Sequence, residues 1–362
     1  MSAAGEDYIL KAMIMAAGVG SRLMPLTSDV PKPMIPMANR PLMESIVELL
    51  SEHGVTEVIA NLHYHADSIA NHFGESPRPG MKMIYSREDE LMGTAGGVKK
   101  CQWFLDDTFV VMSGDALTDV DLTSLIQEHR LKGALATIAV KTVDEVEEFG
   151  VVVSDADDRI TSFQEKPTQE EALSNQANTG IYIFEPEIFD FIPARQFYDF
   201  GKQVFPHLVK IKAPFYVAVT DDYWCDVGNL DTYRQAHFDV LQGKVRYAAA
   251  GTAKRTDTAR VLIGEGAVIE EDVQLSGNVV IGAGCHIGRG ALLKECILWD
   301  QVQVGVETQL QGCILGTGCQ VGRQSQLGEG TVIGSGCQIK AKSILGNGHK
   351  ASQDESGQLR ID

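Results

Sequence analysis

The residues best suited to chemistry lie near the amino terminus, in a glycine loop that follows a short apolar run. Residues 12–17 are apolar, and Gly18, Gly20 and Arg22 come directly after them. Glycines lack a Cβ, so backbone N–H groups in such a loop can close on an anion. Arg22 adds a planar, forked cation and Lys32 adds a compact one. Because a proline on each side of Lys32 restricts its backbone, which a solvated lysine would not require, these groups together predict a polyphosphate site.

Two commoner glycine motifs do not fit this loop. A dinucleotide-binding loop requires a third glycine at the position where this chain has Leu23. A P-loop requires Gly-Lys followed by Ser or Thr, and the chain contains no such tripeptide. The remaining alternative is a tight strand-to-helix turn without a ligand, which the nearby cations and prolines disfavour.

Carboxylates that could hold a metal ion follow other apolar stretches. Asp115 ends the run Val-Val-Met-Ser-Gly, and Asp226 stands among aromatic and apolar residues before a glycine. Mg²⁺ is typically held by one or two carboxylates together with substrate phosphates. An acid at a strand end is also a frequent turn-former or helix cap. Spacing alone does not separate this pair from the nearby acids Asp119, Asp121, Asp221 and Asp222.

These motifs fall among predicted strands and helices that alternate from residue 11 to about residue 230. The predicted strands are residues 55–61, 81–85, 109–112 and 134–140, and the predicted helices are residues 41–53, 66–73, 95–104 and 122–131. Such alternation is typical of an α/β fold with a mostly parallel, Rossmann-like sheet. We therefore expect the motifs in strand-to-helix loops, at the carboxyl ends of the strands.

Residues 18–41, GVGSRLMPLTSDVPKPMIPMANRP, resemble the signature of the sugar-nucleotide pyrophosphorylases, which are sugar-1-phosphate nucleotidyltransferases. With the later motifs, the resemblance extends over nearly the whole chain. It implies that a hexose-1-phosphate oxygen attacks the α-phosphorus of a nucleoside triphosphate, giving an NDP-hexose and pyrophosphate with Mg²⁺ assistance. Positioning and charge neutralisation carry such a displacement, so no nucleophilic side chain is needed.

The resemblance also implies roles for the charged residues. Asp115 and Asp226 would be the Mg²⁺ ligands, while Arg22 and Lys32 would hold the β- and γ-phosphates. Lys166 completes the expected catalytic set. The expected nucleotide-binding residues are Ala17, Gly18, Gly20, Glu88, Gly93, Thr94 and Gly114.

A second group of residues is expected to bind the sugar phosphate. The sequence Glu165-Lys166-Pro resembles the family motif in which the acid binds sugar hydroxyls and the lysine binds the sugar phosphate. Gly150 would let the sugar ring rest against backbone. The Asn178 amide can donate to and accept from hydroxyls, and Gly180 follows it in the Asn-Thr-Gly motif. The alternative for the acid and the lysine is a solvated charge pair.

Glu88 bears on the choice of base. Several thymidylyl- and uridylyltransferases of the resembled family carry Gln at the corresponding position. A carboxylate only accepts hydrogen bonds, so it matches the paired donors of guanine better than the mixed edge of uracil. This favours GTP with mannose-1-phosphate, with glucose-1-phosphate uridylyl- or adenylyltransfer as the alternative. Glu88 could instead be a solvated loop acid in the run Glu-Asp-Glu.

From about residue 251 the sequence repeats every six positions. The repeating apolar residues are Ile263, Ile269, Leu275, Ile281, Ile287 and Leu293, then Leu315, Val321, Leu327, Ile333, Ile339 and Leu345. Such hexads predict a parallel β-helix, and the domain resembles the left-handed kind. The 22-residue step from Leu293 to Leu315 predicts a loop or irregular coil at residues 299–309.

This pattern defines three expected segments. They are a nucleotidyltransferase domain at residues 1–244, which ends in a linker helix over residues 231–244, a left-handed β-helix at residues 245–348, and a disordered tail at residues 349–362. The flat coil faces are expected to build a homo-oligomer.

Two further functions were weighed. Hexapeptide acyltransferases need a general-base histidine, and His286 is the coil candidate; a lone coil histidine is more often a surface residue. A non-catalytic nucleotide-sugar sensor is disfavoured because the charged groups required for the displacement are all retained.

Composition excludes other classes of protein. The formal net charge of −18 disfavours a nucleic-acid partner. Seven cysteines without a C-x-x-C pair fit free thiols in a reducing compartment. Residues 1–8 lack the features of a signal peptide, and the chain contains no long apolar run. We therefore expect a cytoplasmic protein without a membrane partner.

Overall fold

The computed structural model describes residues 10–353 and 358–362. Within this range the chain forms two compact units. The sheet unit contains residues 10–18 and Met43–Asp226, and the coil unit contains Val19–Leu42 and the described residues from Val227 onward. The predicted boundary at residue 244 stays a prediction. The expectation about residues 1–8 lies outside the described range.

The sheet unit is an α/β layer structure. In chain order, the strands up to residue 226 are β1 (Leu10–Met15), β2 (Pro36–Met37), β3 (Arg40–Pro41), β4 (Val55–Leu62), β5 (Lys82–Arg87), β6 (Phe109–Ser113), β7 (Ala116–Thr118), β8 (Ala136–Thr142), β9 (Gly150–Ser154), β10 (Ile160–Glu165), β11 (Gln176–Phe184), β12 (Phe215–Val219) and β13 (Trp224–Asp226). The helices are α1 (Leu42–Glu52), α2 (Ala66–Phe73), α3 (Gly93–Lys100), α4 (Leu122–Leu131), α5 (Phe205–Lys210) and α6 (Leu230–Gln242). Short 3₁₀ turns occupy Ser21–Leu23, Lys32–Met34 and Pro186–Phe191, and a π-helix occupies Phe200–Val204.

Parallel pairing at the centre of the sheet brings the carboxyl ends of three strands together. β1 pairs with β4 on one side and β6 on the other, so Met15 lies opposite both Asn61 and Ser113. β5 continues the parallel part beyond β4, whereas β11, β9 and β10 add antiparallel strands beyond β6. The centre of β1 is fully buried, as expected for a strand covered on both faces. The predicted α/β class is confirmed.

The coil unit is a left-handed parallel β-helix preceded by α6. Its strands are β14 (Thr252–Arg255), β15 (Ala259–Ile263), β16 (Val268–Ile269), β17 (Gln274–Ile281), β18 (His286–Ile287), β19 (Leu292–Lys294), β20 (Ile297–Leu298), β21 (Gln303–Val304), β22 (Gln309–Gln311), β23 (Ile314–Leu315), β24 (Gln320–Val321), β25 (Gln326–Leu327), β26 (Val332–Ile333), β27 (Gln338–Ile339), β28 (Ile344–Leu345), β29 (Lys350–Gln353) and β30 (Leu359–Ile361).

The coils stack their strands into three faces. Face one contains β15, the end of β17, β20, β23, β26 and β29; face two contains β16, β18, β21, β24 and β27; face three contains the start of β17, β19, β22, β25 and β28. Ile281 pairs with Ile263 in one neighbouring coil and with Leu298 in the other, 18 and 17 residues away. Inward apolar residues from all three faces form one continuous core, which no single coil could provide.

The structure corrects the prediction of a loop between residues 293 and 315. β20, β21 and β22 complete a regular coil there, with a regular ladder to the next coil. Three apolar residues fill its interior: Leu298, Val304 and Leu310. The six-residue period fails because the corners at Glu295 and Gly312 are each one residue shorter. Both residues adopt left-handed backbone, with φ of 54° and 60°, which turns the chain sharply.

The predicted disordered tail is also corrected for its described residues. β29 adds to β26 in parallel, and β30 folds back antiparallel on β29. Ala351 of β29 is 1% exposed and lies in the coil core. Residues 354–357 of the predicted tail lie outside the described range.

Helix α6 begins and ends at defined caps. The Asn229 side chain accepts the N–H groups of Asp231 and Thr232, and the Thr232 hydroxyl accepts the Asn229 N–H in return. Gly243 ends the helix in left-handed conformation, with φ of 73°. Among the described residues, no helix is both long and apolar enough to cross a bilayer.

Leu310→Ala tests the coil that the hexad count missed. Leu310 is 2% exposed, so its truncation should leave a cavity and lower the free energy of unfolding by about 2–4 kcal/mol. Urea unfolding measures the change. The matched control is Gln309→Ala, whose exposed side chain precedes Leu310 and should matter by less than about 0.5 kcal/mol. Equal effects of the two changes would contradict a packed coil here.

Candidate active site

Two carboxylates are brought together by the short antiparallel pair of β7 and β13. Asp226 lies directly opposite Ala116, and Asp115 is the residue before Ala116. Both acids are partly buried, and the Ser113 hydroxyl donates to Asp115 Oδ1 at 2.8 Å. The indole N–H of Trp224 donates to the carbonyl of residue 179 at 2.9 Å, which ties β13 to the sheet. The pairing places the predicted metal ligands on neighbouring strands.

Most of the neighbouring acids have structural partners of a different kind. Asp119 accepts the N–H of Tyr223 at 3.0 Å, and Asp222 accepts the N–H of Asp121 at 2.9 Å. Asp121 caps α4, and hydrogen bonds from the Ser124 hydroxyl and N–H hold the pKa of Asp121 below its ordinary value. These three acids act as turn and cap acceptors, an alternative that spacing alone had left open.

The pair of acids has the donor chemistry of a magnesium site. Mg²⁺ prefers oxygen ligands, keeps several waters and usually takes one or two carboxylates plus phosphates. Among the described residues there is no cluster of three or more His, Cys, Asp or Glu that would enclose a metal by itself. The Asp115–Asp226 pair therefore fits a metal that arrives with a phosphorylated substrate.

The glycine loop leaves β1 at the same edge of the sheet. The N–H of Ala16 donates to Asn61 Oδ1 at 2.9 Å, which holds the end of β1 against β4. Ala17 is 7% exposed, and a Cβ added to the exposed Gly18 would meet no atom within 4 Å. Gly114 has a packing role, because a Cβ there would lie 2.9 Å from the Ile14 side chain. Close packing of β6 on β1 therefore requires it.

Glu88 is a buried structural acid. It is 5% exposed, so the solvated-acid alternative is wrong. Its Oε1 accepts from Asn61 Nδ2 at 2.8 Å, and its Oε2 accepts the N–H of Met92 at 3.1 Å. Both oxygens already bind protein groups, which weakens the argument that Glu88 selects guanine.

The glycines of the following motif pack against protein. A Cβ on Gly93 would lie 2.5 Å from the carbonyl oxygen of Tyr198. A Cβ on Gly97 would lie 2.7 Å from Glu88 Oε1. The Thr94 hydroxyl donates to Asp199 at 3.0 Å and accepts the N–H of residue 200 at 2.9 Å. The start of α3 is thus fastened to residues 196–200, a partnership that sequence reasoning missed.

Two of the predicted sugar-binding residues, Gly150 and Glu165, meet in the sheet unit. Glu165 pairs with Gly150 across β9 and β10, and its Oε2 lies 3.4 Å from the position of a Cβ on Gly150. The same oxygen lies 2.4 Å from a Cβ position on Gly201, so any larger residue there would collide with it. Partial burial, followed by the charge of Asp199, raises the pKa of Glu165.

Lys166 follows this acid in the chain, and Asn178 lies in β11. Lys166 is exposed, has a left-handed φ of 49°, and its N–H donates to the carbonyl of Phe149 at 3.1 Å. Asn178 Nδ2 donates to the Tyr182 hydroxyl at 3.0 Å, and its Oδ1 accepts the Gly180 N–H at 3.1 Å. These contacts orient the amide, and each of its ends retains one further hydrogen-bonding position.

Asp199 and Gly201 are the residues of this region that sequence reasoning missed. They belong to the π-helix segment, an irregularity that occurs frequently at functional sites. Asp199 caps the turn by accepting the Lys202 N–H at 3.2 Å. The sequence signal for this segment is an acid that can cap a helix, followed by a glycine. No nearby residue pattern connects it to Glu165, which is distant in sequence.

The two cations lie in the coil unit. Lys32 is 7% exposed, and Arg22 is exposed. Gly20 has φ of 70°, and a Cβ there would lie 2.8 Å from Lys32 Cβ. The Thr27 hydroxyl donates to the Gly20 carbonyl at 2.9 Å. Gly20 is therefore required both by its backbone conformation and by the side chain packed against it.

These features of the two units agree with the resemblance of the sequence to sugar-nucleotide pyrophosphorylases. The family described as Nucleotidyl transferase matches residues 11–243, and the EIF2B subunit epsilon LbH domain matches residues 249–345. The chain belongs to the nucleotidyl transferase family and is a sugar-1-phosphate nucleotidyltransferase.

Individual relatives carry two different substrate names. A UTP–glucose-1-phosphate uridylyltransferase of Synechocystis sp. is 41% identical over 332 residues, covering 83% of this chain and 86% of that protein. A mannose-1-phosphate guanylyltransferase of Mycobacterium tuberculosis is 31% identical, covering 84% and 82%. A crystal structure described as a putative glucose-1-phosphate thymidylyltransferase from Bacillus anthracis matches with a TM-score of 0.58 at 24% identity, covering 66% of this chain and 97% of that one, which supports the fold.

Asp226→Asn tests the carboxylate pair. The substitution keeps the size of the side chain but removes its charge, so kcat should fall about a hundredfold or more while the circular dichroism spectrum stays unchanged. Pyrophosphate release measures turnover. The control is Asp221→Asn, an exposed acid of the same segment that should retain activity. Near-normal turnover of Asp226→Asn would mean that the metal ligands are assigned wrongly.

Glu88→Gln separates a structural role from base selection. Glutamine has one acceptor oxygen, so either Asn61 or the Met92 N–H loses its partner, and the free energy of unfolding should fall by about 1–3 kcal/mol. The ratio of turnover with UTP to turnover with GTP should not change. Glu90→Gln, at an exposed acid in the same run, is the control for stability. A changed base preference at unchanged stability would restore Glu88 as a base-reading residue.

Proposed function

We propose that this chain is a glucose-1-phosphate uridylyltransferase, which converts UTP and glucose-1-phosphate to UDP-glucose and pyrophosphate. The observation that carries the proposal is the 41% identity to a uridylyltransferase across more than four-fifths of both chains. The relatives named mannose-1-phosphate guanylyltransferase are 29–32% identical. The contacts of Glu88 with Asn61 and Met92 weaken the argument that had favoured guanine.

The reaction follows from the charges on the two sides of the α-phosphate. An oxygen of glucose-1-phosphate forms a bond to the α-phosphorus, the α–β bridging bond breaks, and pyrophosphate leaves with that electron pair. Arg22 and Lys32 would hold the departing β- and γ-phosphates, and Lys166 would hold the attacking phosphate. Asp115 and Asp226 would hold Mg²⁺, which, when bound, neutralises charge at the α-phosphate.

The sugar hydroxyls would meet the Glu165 carboxylate and the Asn178 amide. A Cβ on Gly150 would lie 2.6 Å from the Phe163 ring, so packing within the sheet unit requires this glycine, and Phe149 packs edge-on against Trp224 at 5.3 Å. The Glu165 carboxylate accepts hydrogen bonds from hydroxyls in its deprotonated form, and partial burial raises the pKa of this group.

Mannose-1-phosphate guanylyltransfer is the second candidate. It is favoured by the names of relatives in Mycobacterium tuberculosis and Oryza sativa.

The contacts of the coil histidine do not single it out as an acyl-transfer base: His286 projects outward, and its Nε2 lies 3.1 Å from Glu270 Oε1. A homo-oligomer built through the coil faces stays a prediction.

A substrate matrix decides between these candidates. Five nucleoside triphosphates are combined with glucose-, mannose-, galactose- and N-acetylglucosamine-1-phosphate in Mg²⁺, and pyrophosphate release is followed. The expected result is the highest kcat/KM for UTP with glucose-1-phosphate, and its loss when EDTA removes the metal. The highest value for GTP with mannose-1-phosphate, or for ATP with glucose-1-phosphate, would replace the proposed specificity. No turnover with any pair would favour a sensing role instead.

A further inference from the structure

The segment that carries Arg22 and Lys32 belongs to the same compact unit as the β-helix. This cation segment, Val19–Leu42, clusters with the described residues after 226, and not with the strands beside it in sequence. Its contacts within that unit are specific. They indicate what holds the two cations in place.

The first anchor is a hydrogen-bonded relay through α6. Trp299 of the β-helix is 2% exposed, and its indole N–H donates to the hydroxyl oxygen of Tyr233 at 2.9 Å. The fully buried Tyr233 donates in turn to the carbonyl oxygen of Pro36. Burial of the phenol raises its pKa, so it stays protonated and able to donate. A coil residue is thus linked to the cation segment through one phenol.

A buried histidine of α6 also binds the backbone of the cation segment. His237 Nδ1 accepts the N–H of Ala38 at 3.3 Å, and its Nε2 donates to the carbonyl of Pro36 at 3.1 Å. This arrangement requires the neutral ring. Burial lowers the pKa of His237 to about 3, so the required form persists at physiological pH.

Asn39 joins the cation segment directly to face one. It has left-handed backbone, with φ of 68°, and its Nδ2 donates to the carbonyls of Ala250 at 3.1 Å and Ile281 at 3.0 Å. Ile281 is a core residue at the end of β17. The Tyr247 hydroxyl also donates to the Met37 carbonyl at 2.9 Å. Residues 36–39 are therefore held along their whole length.

The other side of the cation segment rests on a glycine of the β-helix. A Cβ added to Gly334 would lie 3.2 Å from Pro25 Cβ and 3.3 Å from the Pro25 carbonyl oxygen. Pro25 stands between Arg22 and Lys32 in the chain. The segment is thus supported both before and after Lys32.

The chemistry of the coil faces agrees with this arrangement. The outward residues of face one are apolar and at most 1% exposed: Val280, Ile297, Ile314 and Val332. The corresponding outward residues of face two are exposed and polar: His286, Gln303, Gln320 and Gln338. Face one is thus the covered side of the β-helix.

We propose that face one of the β-helix is a seat for the cation segment, with Tyr233, Trp299 and Gly334 as positioning residues for Lys32. A single 3₁₀ turn, Lys32–Met34, separates Lys32 from the anchored Pro36. Within this turn, the N–H of Met34 donates to the carbonyl of Pro31 at 2.8 Å, and the N–H of Ile35 donates to the carbonyl of Lys32 at 3.3 Å. Through these hydrogen bonds, a displacement of Pro36 would also displace Lys32. The catalytic consequence rests on the role proposed above for Lys32 in holding the leaving phosphates.

Two substitutions that leave Lys32 itself intact test the seat. Tyr233→Phe removes the hydroxyl that joins Trp299 to Pro36 but keeps the ring. Gly334→Ala adds one methyl group that must displace Pro25 by a few tenths of an ångström. Misplacement on this scale should lower kcat by about tenfold and leave the KM for the hexose-1-phosphate within about twofold.

The matched control is Gly346→Ala. Gly346 follows Leu345 as Gly334 follows Ile333, and a Cβ there would meet the His349 ring at 3.3 Å, a comparable distance. It should change coil stability to a similar degree while leaving kcat unchanged. Thermal unfolding of all three variants separates stability from positioning.

Amide hydrogen exchange of residues 31–39 provides a readout that does not depend on activity. Exchange should rise in Tyr233→Phe and Gly334→Ala and stay at the wild-type level in Gly346→Ala. The proposal is overturned if the wild type is active and both variants have the same kcat and the same amide exchange as Gly346→Ala. If the wild type turns over no substrate pair, the proposed function fails, and exchange alone then supports or overturns the seat.

Discussion

The parallel register of β1 with β4 and β6 is the constraint on which the fold and the site depend. Because these strands end side by side, Met15, Asn61 and Ser113 lie level at one edge of the sheet. The glycine loop and the Asp115 turn leave the sheet at that edge, as expected for a ligand site in an α/β fold. A slip of one residue in β6 would reverse the faces of its side chains and break this alignment. The short β7–β13 pair then brings the second carboxylate beside the first.

Several motif glycines serve contacts of protein with protein. Gly97 makes room for the Glu88 carboxylate, Gly114 for the side chains of β1, and Gly201 for Glu165. These close approaches fix the loops before any substrate arrives, which lowers the entropic cost of ordering them in the reaction. A glycine motif in this fold can therefore indicate close packing of loops as well as a phosphate-binding site.

The two units contribute different chemistry. The sheet unit carries the acids and the residues expected to bind the sugar, whereas the cation segment is held on the β-helix through α6 and face one. The outward side chains differ in polarity and exposure between the coil faces. Apolar residues on face one are buried, while glutamines on face two remain in contact with solvent. Within the coil unit, specific contacts therefore join the cation segment to the β-helix.

Local patterns in the sequence determined the α/β class, the bounds of α2 and α4 and the coil repeat, because periodicity acts over a few residues. Tertiary structure alone decided that Glu88 is buried, that Gly201 packs on Glu165, and that the coil continues through residues 299–309. Each of these depends on chain segments that are distant in sequence or on corner lengths that a strict hexad count cannot register. Burial and hydrogen-bond pairing are set by which surfaces meet, and a one-dimensional pattern does not contain that information.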